Sequence, residues 1–176
     1  MPSITYSATS VPAGGKGGNG ATLTFRIPGG SIPVGATIDG IILGLSIAVQ
    51  GGVPAVSDVL CNVQDTINDS STNSTVNRTS TTGPFVNYPS NAVETFGASD
   101  DLFGLSTWTP GSFAGSGFTV LLTNNGSAGG VLYFEGTHQI TVHYTGGYVA
   151  TQYDKSTNLV NITSGNINIS SGNIFI

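Results

Sequence analysis

Apolar and polar residues alternate with a period of two in run after run of this chain, and turn residues close each run. The first run places Ile4, Tyr6 and Ala8 on one face. Because successive side chains of a β-strand point to opposite faces, such alternation predicts half-buried strands. Further runs with the same pattern contain Leu23, Phe25 and Ile27; Leu43, Leu45, Ile47 and Val49; Val59, Cys61 and Val63; Phe118, Val120 and Leu122; and Ile140, Val142 and Tyr144. About seven or eight short strands joined by Gly- and Asn-rich turns predict an all-β fold, an antiparallel β-sandwich of jelly-roll or Greek-key type, over residues 1–147.

The composition argues against helices and for a surface covered by neighbours. Gly occurs 26 times, and only 7% of residues are charged, whereas an average soluble domain has about 25%. Gly, Ser, Thr and Asn are poor helix formers in helix interiors. A free monomer normally resists association through interspersed surface charge. Scarcity of charge therefore favours an assembling subunit, with the neutral surface of a secreted monomer as the alternative.

Charge and hydropathy exclude two classes of partner. The net charge is −5, and four scattered bases cannot form the basic face that nucleic-acid binding requires. The longest apolar stretch, "IDGIILGLSIAV", is too short and too interrupted by Gly to span a bilayer, so no membrane insertion is expected. The first ten residues show no signal-peptide pattern, which predicts synthesis in a cytoplasm.

The end of the chain contains an internal repeat. Residues 148–176 are predicted to form a C-terminal β-arm, and residues 156–176 read as three successive sevens, "STNLVNI", "TSGNINI" and "SSGNIFI". Each unit ends in Ile, and Val or Ile occupies its fifth place. Ile and Val favour strands, while Gly165 and Gly172 supply kinks or turns at a fixed interval.

This arm is predicted to require partners, because a charge-free, hydrophobic, unpaired edge is one that soluble proteins avoid. Copies of the chain about a three-fold axis would form a triangular β-prism with the Ile rows inside. Addition as a strand to a neighbouring subunit's sheet is a close competitor, and folding back as an extra edge strand of the same sandwich is a third alternative. The predicted assembly residues are Leu159, Val160, Ile162, Ile167, Ile169, Ile174, Phe175 and Ile176.

Two further features have both a structural and a functional interpretation. Residues 64–91 are polar and predict a long surface loop or an exposed hairpin outside the core, which either binds something or is a tolerated insertion. Trp108 follows a turn and precedes a strand. It is interpreted as a core residue or as a platform on which a ligand stacks.

Candidate catalytic and metal-binding residues are few. His138 and His143 are five apart on one predicted strand and so point to opposite faces. Cys61 is the only cysteine and fits a small buried hydrophobe. Asp100 and Asp101 are interpreted as turn-capping carboxylates, with a Ca²⁺ site as the alternative. We therefore expect no enzyme activity, no metal and no cofactor.

One stretch resembles a known class of protein. Phe103-Gly104, Trp108-Thr109-Pro110, Phe118-Thr119-Val120 and Val142-His143-Tyr144-Thr145 are similar to a pattern found in tailed-bacteriophage structural proteins. The resemblance covers about residues 100–147, and the position of Phe103 is often Trp in that pattern. It implies a β-sandwich virion accessory such as a capsid decoration, a neck or collar component, or a tail-fibre-like protein, without catalysis or cofactors.

The expected function is therefore structural. The chain is predicted to form a homo-oligomer, with a trimer favoured, that docks on other virion proteins and resides in the virion after synthesis in the host cytoplasm. The alternative is a carbohydrate- or receptor-binding module that uses Trp108 or Tyr88 to stack on a host-surface glycan. A donor-strand pilus or filament subunit is a third class, and it would normally have a secretion signal.

Overall fold

The computed structural model describes residues 1–8, 21–24, 32–52, 54–65, 76–114, 118–125, 131–134, 136–148, 153–154 and 159–160. Within these ranges the strands are β1 (Ser3–Ala8), β2 (Ala21–Thr24), β3 (Val34–Gln50), β4 (Val59–Asp65), β5 (Ala92–Ala98), β6 (Phe118–Asn124), β7 (Val131–Phe134), β8 (His138–Tyr148), β9 (Tyr153–Asp154) and β10 (Leu159–Val160). Two short 3₁₀ turns span Val56–Asp58 and Pro110–Phe113, and the same ranges contain no α-helix. The predicted all-β class with antiparallel sheets is confirmed.

The 17-residue strand β3 is the centre of the larger sheet, whose order is β1-β8-β3-β5. Ile47 of β3 pairs with Ala92 of β5 and also with Phe134 of β7. Because one residue has one neighbour on each side, β7 and β5 lie along opposite edges of β3. The strand β7 therefore continues the line of β8 along the same side of β3.

The smaller sheet has the order β2-β6-β4, and a short segment extends it beyond β4. Cys61 and Arg78 exchange both backbone hydrogen bonds, at 2.7 and 2.8 Å, while Leu122 of β6 pairs with Cys61 from the other side. From β1 to β6, successive strands alternate between the two sheets. This order places residues that are distant in the sequence beside one another.

One cluster of buried side chains lies between the two sheets. Its members include Leu43, Leu45 and Ile47 of β3, Val59, Cys61 and Val63 of β4, Phe118, Val120 and Leu122 of β6, and Ile140 and Val142 of β8. Each large apolar side chain removed from water contributes about 1.5–3 kcal/mol. These residues are the inward-facing members of the alternating runs in the sequence. Because their burial is favourable, the cluster they share holds the two sheets face to face.

Two features of the region after β4 differ from the sequence-based expectation. Residues 64–91 were expected to lie outside the core, yet Phe85 is only 4% exposed and belongs to the core cluster, and Ser80 is also buried. The strand β5 has no apolar alternation because Glu94 occupies an inward position beside Phe96. A polar residue at a core position conceals the period of two, so the pattern did not indicate this strand.

The end of β5 packs tightly against β3. Gly97 has a φ of +81°, and a Cβ atom there would lie 2.3 Å from the Ile41 carbonyl oxygen and 2.8 Å from the Phe103 ring. Gly51 also has a positive φ, +91°, but a Cβ atom there would meet nothing within 4 Å. Substitutions at the two positions therefore separate the cost of a left-handed backbone conformation from the cost of steric crowding.

We expect Gly97→Ala to lower the free energy of unfolding by about 3 kcal/mol or more, since it adds overpacking to the cost of a left-handed non-glycine residue. Gly51→Ala has only the conformational cost, about 1–2 kcal/mol. Urea denaturation of both variants measures the difference. Equal losses would contradict the close approach of Gly97 to β3.

Candidate assembly site

The two edges of the larger sheet differ, and the β5 edge is closed. The Thr81 N–H donates to the Thr95 carbonyl oxygen at 2.8 Å, and the Thr95 N–H donates to the Thr82 hydroxyl oxygen at 2.9 Å. The same hydroxyl lies 3.3 Å from the Val93 carbonyl oxygen. These bonds satisfy backbone groups that would otherwise be a template for another strand.

A buried carboxylate anchors the segment that closes this edge. Glu94 is almost completely buried, and its Oε2 atom accepts a hydrogen bond from the Ser80 hydroxyl at 2.5 Å. The Thr82 hydroxyl lies 3.2 Å from the same oxygen. A buried carboxylate is tolerated only when hydrogen bonds satisfy it, so Glu94 and residues 80–82 stabilise each other.

The opposite edge, formed by β1, has no added strand within the described ranges. The Tyr144 N–H of β8 donates to the Pro2 carbonyl oxygen at 3.1 Å. In an antiparallel pair, hydrogen-bonded and non-hydrogen-bonded residue pairs alternate. The N–H and C=O groups of Ser3, Thr5 and Ser7 therefore point away from β8, towards the open side.

The predicted arm begins with a β-hairpin. Leu159 pairs with Asp154 and Val160 pairs with Tyr153, which makes β9 and β10 a two-stranded sheet. Among the described residues, this hairpin is hydrogen-bonded neither to the larger sheet nor to the smaller sheet. The other predicted assembly residues, Ile162, Ile167, Ile169, Ile174, Phe175 and Ile176, lie outside the described residues.

The outer face of the larger sheet is short of charge. Its side chains include Ser3, Thr5 and Ser7 of β1, Gln139, Thr141 and Thr145 of β8, Ile42 of β3, and Val93 and Thr95 of β5. Thr5 and Thr141 form a hydroxyl–hydroxyl hydrogen bond of 2.9 Å across the two strands. Asp39, in the bulge of β3, lies at this face, where its Oδ1 atom is 3.3 Å from the Thr145 hydroxyl.

The structure places Trp108 in the core. It is 7% exposed, and its ring lies 5.4 Å from the Phe113 ring and 5.6 Å from the Phe118 ring, measured between centroids. Its indole N–H donates to the Leu102 carbonyl oxygen at 2.9 Å. Trp108 thus behaves as a core residue, because its ring is packed against other aromatic rings and its buried N–H has a hydrogen-bond partner.

Among the described residues, Tyr88 presents an aromatic ring at the surface. It is 39% exposed, and its ring stacks on that of Tyr133 with centroids 4.8 Å apart. The Tyr133 hydroxyl donates to the Gln50 side-chain oxygen at 2.5 Å. The Tyr88 ring is therefore held in place by a partner that is itself hydrogen-bonded.

The motif around Phe103 forms a closed turn. Phe103 has a φ of +53°, unusual for a residue with a side chain. The Asp101 carboxylate accepts the Phe103 N–H at 2.8 Å and forms an ion pair with Arg78, whose guanidinium lies over the Phe103 ring. Burial tends to raise the pKa of Asp101, but the hydrogen bonds from Arg78 and Phe103 hold it below its usual value. The structural role of this motif is to hold the turn at Phe103 through Asp101 and Arg78.

Other reactive side chains are dispersed. His138 is buried, whereas His143 is on the opposite face of β8. Burial raises the pKa of the Cys61 thiol, so the thiolate that reacts with electrophiles is suppressed. The described ranges contain no group of three or more His, Cys, Asp or Glu side chains that could hold a metal ion.

Comparisons with known proteins identify no relative. No protein-family model matches the chain, and no curated protein or solved structure is significantly similar to it. In the part of the chain that the structure describes, no helix is long and apolar enough to cross a membrane.

Acid is expected to destabilise the fold through His138. Its Nδ1 atom accepts the Ser46 N–H at 3.1 Å, and burial lowers the pKa of the imidazole below its ordinary value of about 6.5. As the pH falls below about 6.5, the unfolded chain binds a proton that the folded imidazole resists. The free energy of unfolding therefore falls until the pH reaches the folded-state pKa.

The variant His138→Asn retains an acceptor near Nδ1 and removes the titration. We expect it to be less stable than the native chain at pH 7.5, and this gap to narrow at pH 5.5, in urea denaturation. A gap that stays constant between the two pH values would contradict the role assigned to His138.

Proposed function

We propose that this chain is a structural subunit that assembles with copies of itself through its C-terminal arm, residues 148–176. The observation that carries the proposal is the hairpin of β9 and β10, which belongs to the arm and joins neither of the larger sheets. An isolated two-stranded hairpin is only marginally stable in water. The arm therefore requires further strands or a packed surface.

The sequence of the arm supports this requirement. No charged side chain follows Lys155, and the three repeats contain Ile or Val at regular intervals. Apolar side chains gain about 25 cal/mol for each Å² removed from water, whereas 21 residues in extended form are too narrow to bury their own Ile rows. A trimer about a three-fold axis is the preferred arrangement, because it lets three Ile rows meet at one axis.

A jelly roll is the proposed topology of residues 1–147. The order β1-β8-β3-β5 in one sheet faces β2-β6-β4 in the other, and the segment at Arg78 adds to the far edge of β4. With that segment as a fourth strand, and with β7 in line with β8, each sheet has four strand positions, the arrangement of jelly rolls. Such folds are found in viral capsid and lectin domains.

We further propose that the assembly is part of a bacteriophage virion, as a capsid decoration, a neck or collar component, or a tail-fibre-like accessory that docks on other virion proteins. Support comes from the resemblance of residues 100–147 to phage structural proteins, from the jelly-roll-like strand order and from the scarcity of charge. The virion would be its location.

The assembly role is tested by placing charge in the arm of the full-length chain. Ile167→Asp and Ile169→Asp put carboxylates on the apolar face, and burial of each unpaired charge is costly. We expect the mass from native mass spectrometry to fall to the 17.8 kDa of one chain, with association weakened at least about a hundredfold, or about 2.7 kcal/mol.

Asn168→Asp is the matched control, since it adds the same charge between the two Ile residues and on the polar face of an alternating strand. This control should retain the native oligomer. A native chain that is monomeric at micromolar concentration, or an unchanged mass in the Ile variants, would refute the assembly role.

Carbohydrate binding is a second candidate because Tyr88 is a supported, exposed aromatic ring. Amphipathic rings of this kind offer an apolar face and a polar tip. If a glycan array detects binding, Tyr88→Ala should abolish it, and Val93→Ala, which truncates another exposed apolar residue, should not. An array without any signal would remove this candidate.

A further inference from the structure

The edge formed by β1 lacks the devices that normally protect an edge strand. Natural sheets use Lys, Pro within the strand, bulges or a covering segment to prevent pairing with other chains. The six residues of β1 contain no charge and no Pro, and their register with β8 runs without a shift from Ser3 to Ala8. Segments cover β5 and the far side of β4, but no described segment covers β1.

The faces of β1 match the alternation of the arm. Ile4 and Tyr6 are only partly buried and pack at the margin of the core, while Thr5 is on the outer face, where its hydroxyl bonds to that of Thr141. In the second repeat, Ile167 and Ile169 alternate with Asn. A strand added beside β1 with this pattern would extend the core with its Ile residues and the polar face with its Asn residues.

The length of the arm fits this edge. Five residues, 161–165, separate Val160 from the stretch that would pair with β1, and they span roughly 17 Å when extended at about 3.3 Å per residue. The stretch 166–171 between Gly165 and Gly172 has six residues, the same number as β1. A short spacer beyond the hairpin is therefore followed by a stretch that matches the whole length of β1.

The point where the arm leaves the body also favours exchange between copies. The arm follows Tyr148 at the end of β8, close to the start of β1, because His143 pairs with Ser3. A strand that followed β8 directly back onto its own β1 would run parallel to it, and parallel pairing is slightly less stable than antiparallel pairing. An arm from a second copy can approach in the antiparallel direction.

We infer that the open edge of β1 is the receptor for the C-terminal arm of a second copy, which adds to the larger sheet as an antiparallel strand. This inference rests on the assembly role proposed above and adds the surface that receives the arm. The outward N–H and C=O groups of Ser3, Thr5 and Ser7 bind the arm's backbone, and the apolar margin at Ile4 and Tyr6 selects the Ile face. This is strand addition, a common mode of peptide recognition.

The test substitutes Thr5 in the full-length chain. Thr5→Pro removes an N–H that points away from β8, so the pairing of β1 with β8 is retained, and Pro is tolerated in edge strands in this way. Thr5→Ala is the control, because it removes the same hydroxyl contact with Thr141 and leaves the N–H in place. We expect native mass spectrometry to show at least a tenfold weaker association for Thr5→Pro and the native oligomer for Thr5→Ala.

A second measurement avoids any change in β1. Amide hydrogen exchange at Ser3, Thr5 and Ser7 should be slow in the native oligomer and at least about a hundredfold faster in the double variant Ile167→Asp, Ile169→Asp. Fast exchange of these amides in the native oligomer would overturn the inference. Slow exchange in a monomeric native chain would also overturn it, because the chain's own arm would then cover β1.

The two proposals fail separately. If Thr5→Pro keeps the native mass and the Ile variants become monomeric, the arm assembles the chain elsewhere and only the receptor role of β1 is wrong. If the Ile variants keep the native mass as well, the assembly role of the arm is wrong.

Discussion

The requirement that backbone N–H and C=O groups at the edge of a sheet find partners governs this molecule. The β5 edge meets it internally, through Thr81 and Thr82. The far side of β4 meets it through Arg78. The β1 edge leaves Ser3, Thr5 and Ser7 with groups that point outward. Within the larger sheet, the described residues close the β5 edge and leave the β1 edge open.

The period-two alternation of apolar and polar residues predicts several of the strands from the sequence alone. The inward residues of β4, β6 and β8 follow the period of two, because each strand is buried on one face only. The strand β5 was not readable because Glu94 replaces an apolar residue at an inward position, where Ser80 satisfies its carboxylate. The order of the strands was not readable either, since pairs such as Ile47 and Phe134 join distant parts of the chain.

Of the two parts of the candidate site, the sequence predicts the arm but does not predict the open edge of β1. A repeat with its own period and no charge marks the arm in the sequence itself. An open edge, by contrast, is defined by what fails to cover it, and the cover of β5 depends on a contact between Thr81 and Thr95 that no local pattern encodes. Trp108 shows the same limit, because its neighbours Phe113 and Phe118 decide between core and platform.

The distribution of charge links folding to association. In the described part of the chain, Arg78 forms an ion pair with Asp101, Glu94 bonds to Ser80, and buried Asp65 accepts a hydrogen bond from Ser112 at 2.6 Å. Glu94 and Asp65 are buried, and Arg78 and Asp101 are partly buried and paired, so these charges contribute little to repulsion between molecules. The described outer face of the larger sheet presents mainly neutral hydroxyl and amide groups, and these can hydrogen-bond to another chain as readily as to water. Low charge in this chain is thus linked to the sandwich itself and supports the assembly role proposed above.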